Sequence, residues 1–469
     1  MRSYIILLGI LSFLYNGTTL QGQQDTFSIR AKFEESLSTD KLVLELDLLR
    51  NWIGKKAFDR TGFLFTSRDS FDLRVKELRT VLLENDSIDF INYVDYLPPL
   101  IHSVKDDHAF FPLLSWSSSE IDQPRVSKEK IVFPMEMVVF QNNCYLVNGL
   151  EIPGKSEILE INGIPALDII TRALAFYHYN SWYYLQKQGY AEFNGFILAP
   201  ILFHLFGFED EVTITFRENS TAPTQQVQVE LQPFRQYPKT SESRSAFSGK
   251  KFDLRFKGDW AILEINSWKK GQKGIAEFYD FYNDAFKKIA AQGSQKLCID
   301  ISHNRGGSNL PWLVLLNYIY EGAFKFSHNR PTIELAELTA IYLDRKKKKK
   351  ALKVLDLKSR FTGEVFLLIG PKTFSAATNM ADFMKFNQIG TIWGIETPGW
   401  TTHYGQIKEK MLPYSQIDMH LSGRLFYDLQ GRTETGGVVP HKNTAFEDID
   451  QFWRYYLDHQ WADILIDKL

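Results

Sequence analysis

Residues 363–380 read Gly363-Glu-Val-Phe-Leu-Leu-Ile-Gly370-Pro-Lys-Thr-Phe-Ser375-Ala-Ala-Thr-Asn-Met380. The apolar run 365–370 has the length and bulk of a buried strand, Gly370-Pro371 ends it, and 375–386 takes a helical period. Ser375 falls where that helix begins. A hydroxyl there lies beside unpaired backbone N–H groups and the positive end of the helix dipole, which together stabilise a developing oxyanion. The same position also suits an N-capping serine. On this stretch alone, nucleophile and cap are both open.

The chain around it alternates strand and helix. Residues 260–266 and 297–302 read as strands with an amphipathic helix over 275–289 between them, and 309–320 reads as a further helix. That order predicts a layered domain built from βαβ units over 250–469. One of its loops is Asp300-Ile-Ser-His-Asn-Arg-Gly306-Gly307-Ser308. Paired glycines let backbone N–H groups approach a ligand closely, and a tight turn explains them equally well. Their spacing is neither a Walker loop nor a dinucleotide fingerprint.

Further out the period changes twice. Residues 25–120 predict a helical domain, with helices over 42–52 and 71–83, caps at Asp40 and Ser70, and a stretch over 88–104 that Pro98-Pro99 should kink. It ends at Lys105-Asp-Asp-His108. Residues 130–235 predict a β-rich domain, with strands at 131–140, 157–162 and 212–217 and a helix at 167–174. A polar linker is expected at 241–249 and a solvated lysine loop at 345–350. Residues 1–22, with Arg2 ahead of a short apolar run and a small polar exit, predict a secretory signal peptide, hence a periplasmic or extracellular protein. No cysteine lies near that exit, which speaks against a lipid anchor there.

Composition narrows the classes. With 44% hydrophobic residues the chain can build substantial cores, which excludes a disordered chain. Fifty-four basic against 56 acidic residues leave a net charge of -2, with no electrostatic footprint for nucleic acid. No later segment has the uninterrupted apolar length of a membrane span. The 36 Phe and 21 Tyr fit either large aromatic cores or a ligand-facing surface. Cys144 and Cys298 exclude a disulfide framework and allow one bridge at most. Neither has metal-ligand spacing, so no metal and no cofactor are expected.

Taken in order, these pieces resemble the serine peptidases of the C-terminal-processing and tricorn-core family. Asp300…Asn-x-Gly-Gly, Thr-Phe-Ser-Ala-Ala and Gly394-Ile-Glu-Thr-Pro-Gly399 stand in the family's sequence. Glu157-Ile-Leu-Glu-Ile-Asn-Gly-Ile-Pro165 resembles the carrier strand of its PDZ-like domain. Asp106-Asp-His108 resembles its Asp-x-His motif, and Glu434-Thr-Gly-Gly-Val-Val-Pro440 its Glu-x-x-Gly-Val-x-Pro segment. The resemblance implies a crotonase- and ClpP-like spiral α/β catalytic domain with an N-terminal helical domain and a PDZ-like domain at 130–235. It makes Ser375 the nucleophile and the N–H groups of Ala376 and Gly306 or Gly307 the oxyanion donors. Trp400 stands where the processing-peptidase branch has its catalytic lysine, so the tricorn-like branch is implied, with His108 as base and Glu434 as its support. His303 and His403 are the other histidines close to the active segments. Three departures accompany the match: Asp107 replaces a serine, Arg305 a glycine and His441 an aspartate.

The expectation is therefore an exported serine endopeptidase acting on peptides or unfolded protein. Two rivals stand beside it. One is a catalytically inactive peptide-binding protein on the same fold, favoured by Trp400, Arg305 and Asp107. The other is an acyl-CoA enzyme of the crotonase type, against which the expected export and PDZ-like segment speak.

Overall fold

The computed structural model describes residues 29–55, 66–106, 108–109, 130–148, 151–175, 179–193, 195–207, 209–233, 250–271, 273–325, 332–335, 357–432 and 435–468. The expected signal peptide, the linker at 241–249, the lysine loop at 345–350, Asp107 and Glu434 lie outside them.

The N-terminal part is helical: α1 (Thr39–Lys55), α2 (Arg68–Leu83) and α3 (Phe90–His102). Leu42, Leu46, Leu49 and Ile53 recur at helical spacing and are buried. The caps differ from expectation. Ser67, not Ser70, caps α2, its side chain accepting from the Ser70 N–H at 3.0 Å, and Asp40 sits in the first turn of α1. Helix α3 runs through Pro98 and Pro99 without ending, because Val94, Leu97, Leu100 and Ile101 are buried along it. Tertiary burial there outweighs the lost backbone bonds.

Next comes a seven-stranded sheet made of β1 (Glu136–Phe140), β2 (Asn143–Asn148), β3 (Glu157–Ile161), β4 (Ile164–Pro165), β5 (Ala191–Phe193), β6 (Glu211–Arg217) and β7 (Gln225–Glu230). Its order is β7-β6-β3-β2-β1-β5, with β4 on β3, and β5 forms one edge. The run expected as one strand at 131–140 is broken at Pro134, with separate strands at Lys130–Val132 and Glu136–Phe140. Helices α4 (Ala166–Ala175), α5 (Tyr179–Gln188) and α6 (Gly195–Phe206) accompany it. This sheet and the N-terminal helices share one apolar core, running from Phe33, Leu46 and Val94 to Ile161 and Ile214.

The third part is built on a six-stranded sheet ordered β8-β9-β10-β11-β12-β15. Its strands are β8 (Phe252–Lys257), β9 (Trp260–Ile265), β10 (Lys296–Asp300), β11 (Glu364–Ile369), β12 (Thr391–Gly394) and β15 (Lys442–Asn443); β8 is antiparallel and the rest parallel. Alternation along the strands sends Leu263, Ile265, Leu297, Ile299, Leu367 and Ile369 to one face. There they meet α7 (Ala276–Gln292), α8 (Asn309–Leu316) and α9 (Ala376–Phe386). Ile262, Cys298 and Leu368 face the other way, onto α10 (Ile449–Tyr456) and α11 (Trp461–Asp467). Phe446, Phe452, Trp453, Tyr455 and Trp461 crowd that second core, so much of the aromatic content goes into packing. Between β12 and β15 a long hairpin, β13 (His403–Met411) and β14 (Asp418–Phe426), leaves the sheet. Leu412, Ile417, Met419 and Leu421 of this hairpin are buried in the core of the first two parts. Cys144 on β2 and Cys298 on β10 are both buried and free, so no bridge joins them. Among the described residues, no helix is long and apolar enough to cross a membrane.

Candidate active site

Strand β11 lies inside the sheet, between β10 and β12, and delivers the chain to Ser375 through the loop 370–374. Ser375 has φ 53° and ψ −119°, and its side chain makes no capping bond to α9. A serine at positive φ outside the left-handed helical well is strained by about 1–3 kcal/mol, and such strain persists only where surrounding bonds hold it. Those bonds are present. The Thr373 hydroxyl donates to Ile301 O (2.9 Å) and accepts from Gly370 N–H (2.9 Å), and Phe374 N–H donates to Asn304 O (3.0 Å). The loop is thus laced to the turn after β10, with Ser375 at its apex. The geometry is a sharp strand-to-helix turn in which the Ser375 hydroxyl is left off the helix end rather than bonded to it.

Gly306 closes the approach from the other side. A Cβ there would lie 2.6 Å from Phe374 O, 2.8 Å from Ser375 Cβ and 2.9 Å from Ala376 N, so only glycine fits. The Gly306 N–H donates to Asn304 Oδ1 at 2.8 Å, and its carbonyl accepts from Trp268 N–H. Ala376, the first residue of α9, and Gly306 are thus in direct contact, with Gly307 next along the turn.

His108 arrives from the far end of the helical part. Its Nε2 lies 3.4 Å from Ser375 Oγ. The ring sits between Phe374 (centroids 5.0 Å) and His403 (5.7 Å). The buried Asp106 fixes the backbone here: its Oδ1 accepts from His108 N–H (2.9 Å) and from the Ser422 hydroxyl (2.7 Å), and its Oδ2 accepts from Ser422 N–H (3.3 Å). Ser422 is on β14, so the hairpin carries the anchor for the histidine. The hairpin turn is itself held by Glu45 of α1, whose Oε2 accepts from Tyr414 and Ser415 N–H at 2.7 and 2.9 Å.

The remaining candidates make other contacts. His403 is buried against Phe426, and its Nδ1 donates to Trp400 O at 2.9 Å. His303 stacks on His459 (4.1 Å) and packs against Tyr455 in the second core, where burial pushes its pKa well below the histidine range. Trp400 is buried with Tyr183 edge-on at 5.7 Å, a packing position. His441 is bonded to the backbone of β12, its Nδ1 accepting from Ile392 N–H. Arg305 pairs with Glu192 of β5. Among the described residues no His, Cys, Asp and Glu cluster has the form of a metal site. Sequence reasoning missed Ser422 and the structural part of Asp106; the acid two residues before His108 was visible, but its partner lies 316 positions away.

Residues 259–443 match the family model Peptidase family S41. The chain carries a peptidase family S41 domain. By that family it is a serine-type peptidase. No curated protein sequence matches it. Among solved structures, mature CPAF complexed with lactacystin is 15% identical over 91% of this chain and 97% of that one, with a TM-score of 0.58. Uncomplexed mature CPAF is 15% identical over 91% and 96%, with a TM-score of 0.54. The photosystem II D1 C-terminal processing protease is 12% identical over 88% and 97%, at 0.43. At such identities the two CPAF structures speak for the mixed α/β fold over most of the chain.

Proposed function

We propose that this chain is an exported serine endopeptidase in which Ser375 is the nucleophile and His108 the general base. The observation that carries the reading is the strained, uncapped Ser375 with its hydroxyl 3.4 Å from His108 Nε2. With Nδ1 protonated, Nε2 accepts the serine proton as Oγ attacks a peptide carbonyl. The contact shortens to about 2.6–3.2 Å in the substrate complex. The tetrahedral oxygen rests on the N–H groups of Ala376 and Gly307, with Gly306 shaping the turn. His108 then passes the proton to the leaving amine, and water hydrolyses the acyl-enzyme. Glu434 supports the base, and the β-rich part at 130–235 serves as a PDZ-like module that holds an extended peptide.

The test is labelling by a fluorophosphonate together with hydrolysis of an unfolded protein. Ser375→Ala should lose both while remaining folded. His108→Ala should lower kcat/KM by on the order of a hundredfold or more. Activity should be lost as the pH is lowered and the imidazole takes up a proton. Retained turnover in Ser375→Ala refutes the reading, and a folded wild-type protein that takes no label and cleaves nothing favours the peptide-binding rival.

A further inference from the structure

Glu192 stands on β5, the edge strand of the seven-stranded sheet, and its carboxylate reaches out of that sheet into the catalytic part. Its Oε1 lies 2.7 Å from Lys372 Nζ and accepts from the Tyr190 hydroxyl at 2.7 Å; its Oε2 pairs with Arg305. Lys372 belongs to the loop that carries Ser375, and Arg305 directly precedes Gly306. One carboxylate therefore bridges the nucleophile loop and the oxyanion turn. The same two segments are also joined through their backbones, by Lys372 N–H to Ser302 O (3.3 Å) and Phe374 N–H to Asn304 O (3.0 Å). Together with the Thr373 hydroxyl bond to Ile301 O, these ties set the spacing between the two loops, and Glu192 is the one that reaches them from the other sheet.

The Lys372 side chain is 1% exposed and its Nζ lies 3.8 Å from the centre of the Tyr456 ring. Burial pushes its pKa well below the usual lysine value and Arg305 adds to that, while Glu136 opposes it. A buried lysine holds its charge only through the carboxylates that face it.

We propose that Glu192 is a positioning residue of the peptidase reaction: from outside the catalytic part, it holds the Ser375 loop and the Gly306-Gly307 turn in the geometry the tetrahedral intermediate needs. This rests on the proposed role of Ser375. The test compares wild type, E192Q, E192D and E192Q/K372M for the rate of fluorophosphonate labelling, for kcat and KM on an unfolded protein, and for Tm. E192Q should lower labelling and kcat by about tenfold to a hundredfold, with KM within about twofold of wild type. E192D, which keeps the charge, should recover much of the loss. E192Q/K372M also removes the lysine's buried amine and should recover Tm but not kcat. Wild-type kcat in E192Q, or kcat returning with Tm in the double variant, makes Glu192 a fold element and overturns the proposal while leaving the serine reading intact. A wild-type protein that is neither labelled nor active overturns both.

Discussion

Ser422→Ala isolates the device that brings His108, the proposed base, to Ser375. The serine is fully buried, and its hydroxyl donates to Asp106 Oδ1 at 2.7 Å, the same oxygen that accepts from His108 N–H. Losing one hydrogen bond to a charged acceptor costs about 1.5–3 kcal/mol. The Ser422 N–H bond to Oδ2 remains, so the hairpin should stay docked and the protein folded. The activity effect follows from geometry. The His108–Ser375 contact is already long at 3.4 Å, and a further displacement near 1 Å is worth roughly a hundredfold in rate. We expect kcat to fall by about tenfold to a hundredfold with KM little changed, and the midpoint of urea unfolding to fall accordingly. Steady-state kinetics on an unfolded protein and urea titration of both proteins measure the two effects. If stability drops while kcat stays within about twofold, Asp106 and Ser422 only join two parts of the fold and the positioning argument is wrong.

Three other outcomes are expected. Ser375→Gly should be inactive yet more stable than Ser375→Ala by about 1–2 kcal/mol, because glycine accepts φ 53° without strain; equal thermal midpoints would deny that strain. Asp382 on α9 is pushed up to about 6, chiefly by burial and then by Asp428. Its folded pKa exceeds the ordinary 3.8, so it destabilises the fold fully above about pH 6, and that penalty fades as the pH falls toward 4. Asp382→Asn should therefore add about 1–3 kcal/mol at pH 7 and little at pH 4, as denaturant titrations at the two pH values would show. Residues 130–233 should fail to fold alone, because Ile161, Ile214 and Phe216 share one core with Leu46, Val94 and the hairpin residue Met419; a cooperative thermal transition in the isolated segment would contradict this.

Much of the catalytic part was legible because its signals are local. The apolar runs at β9, β10 and β11 have the length of strands buried on both faces. The expected helix at 275–289 runs over Ala276–Gln292 and ends at Gly293, whose φ of 69° closes it in the left-handed form. The order of motifs around Ser375 and Gly306-Gly307 likewise named two segments that the structure places in contact. Other signals misled for physical reasons. Pro98-Pro99 carried a true local cost that burial of α3 overrode, and Ser67 and Ser70 competed for one cap.

What the sequence by itself determined was the set of elements and the types of residue at their ends, since strand length, helix period and turn chemistry act over a few neighbouring positions. It left Ser375 divided between cap and nucleophile, because both want the start of a helix. Only the tertiary structure showed that its side chain makes no capping bond, at a φ of 53° beside a loop that Ile301 and Asn304 hold. It alone also brought His108 to Ser375 across 267 positions, by burying a hairpin from one part of the chain in the core of another and pinning Asp106 to Ser422. Such contacts depend on which apolar surfaces meet when the parts pack, and no local pattern encodes that choice.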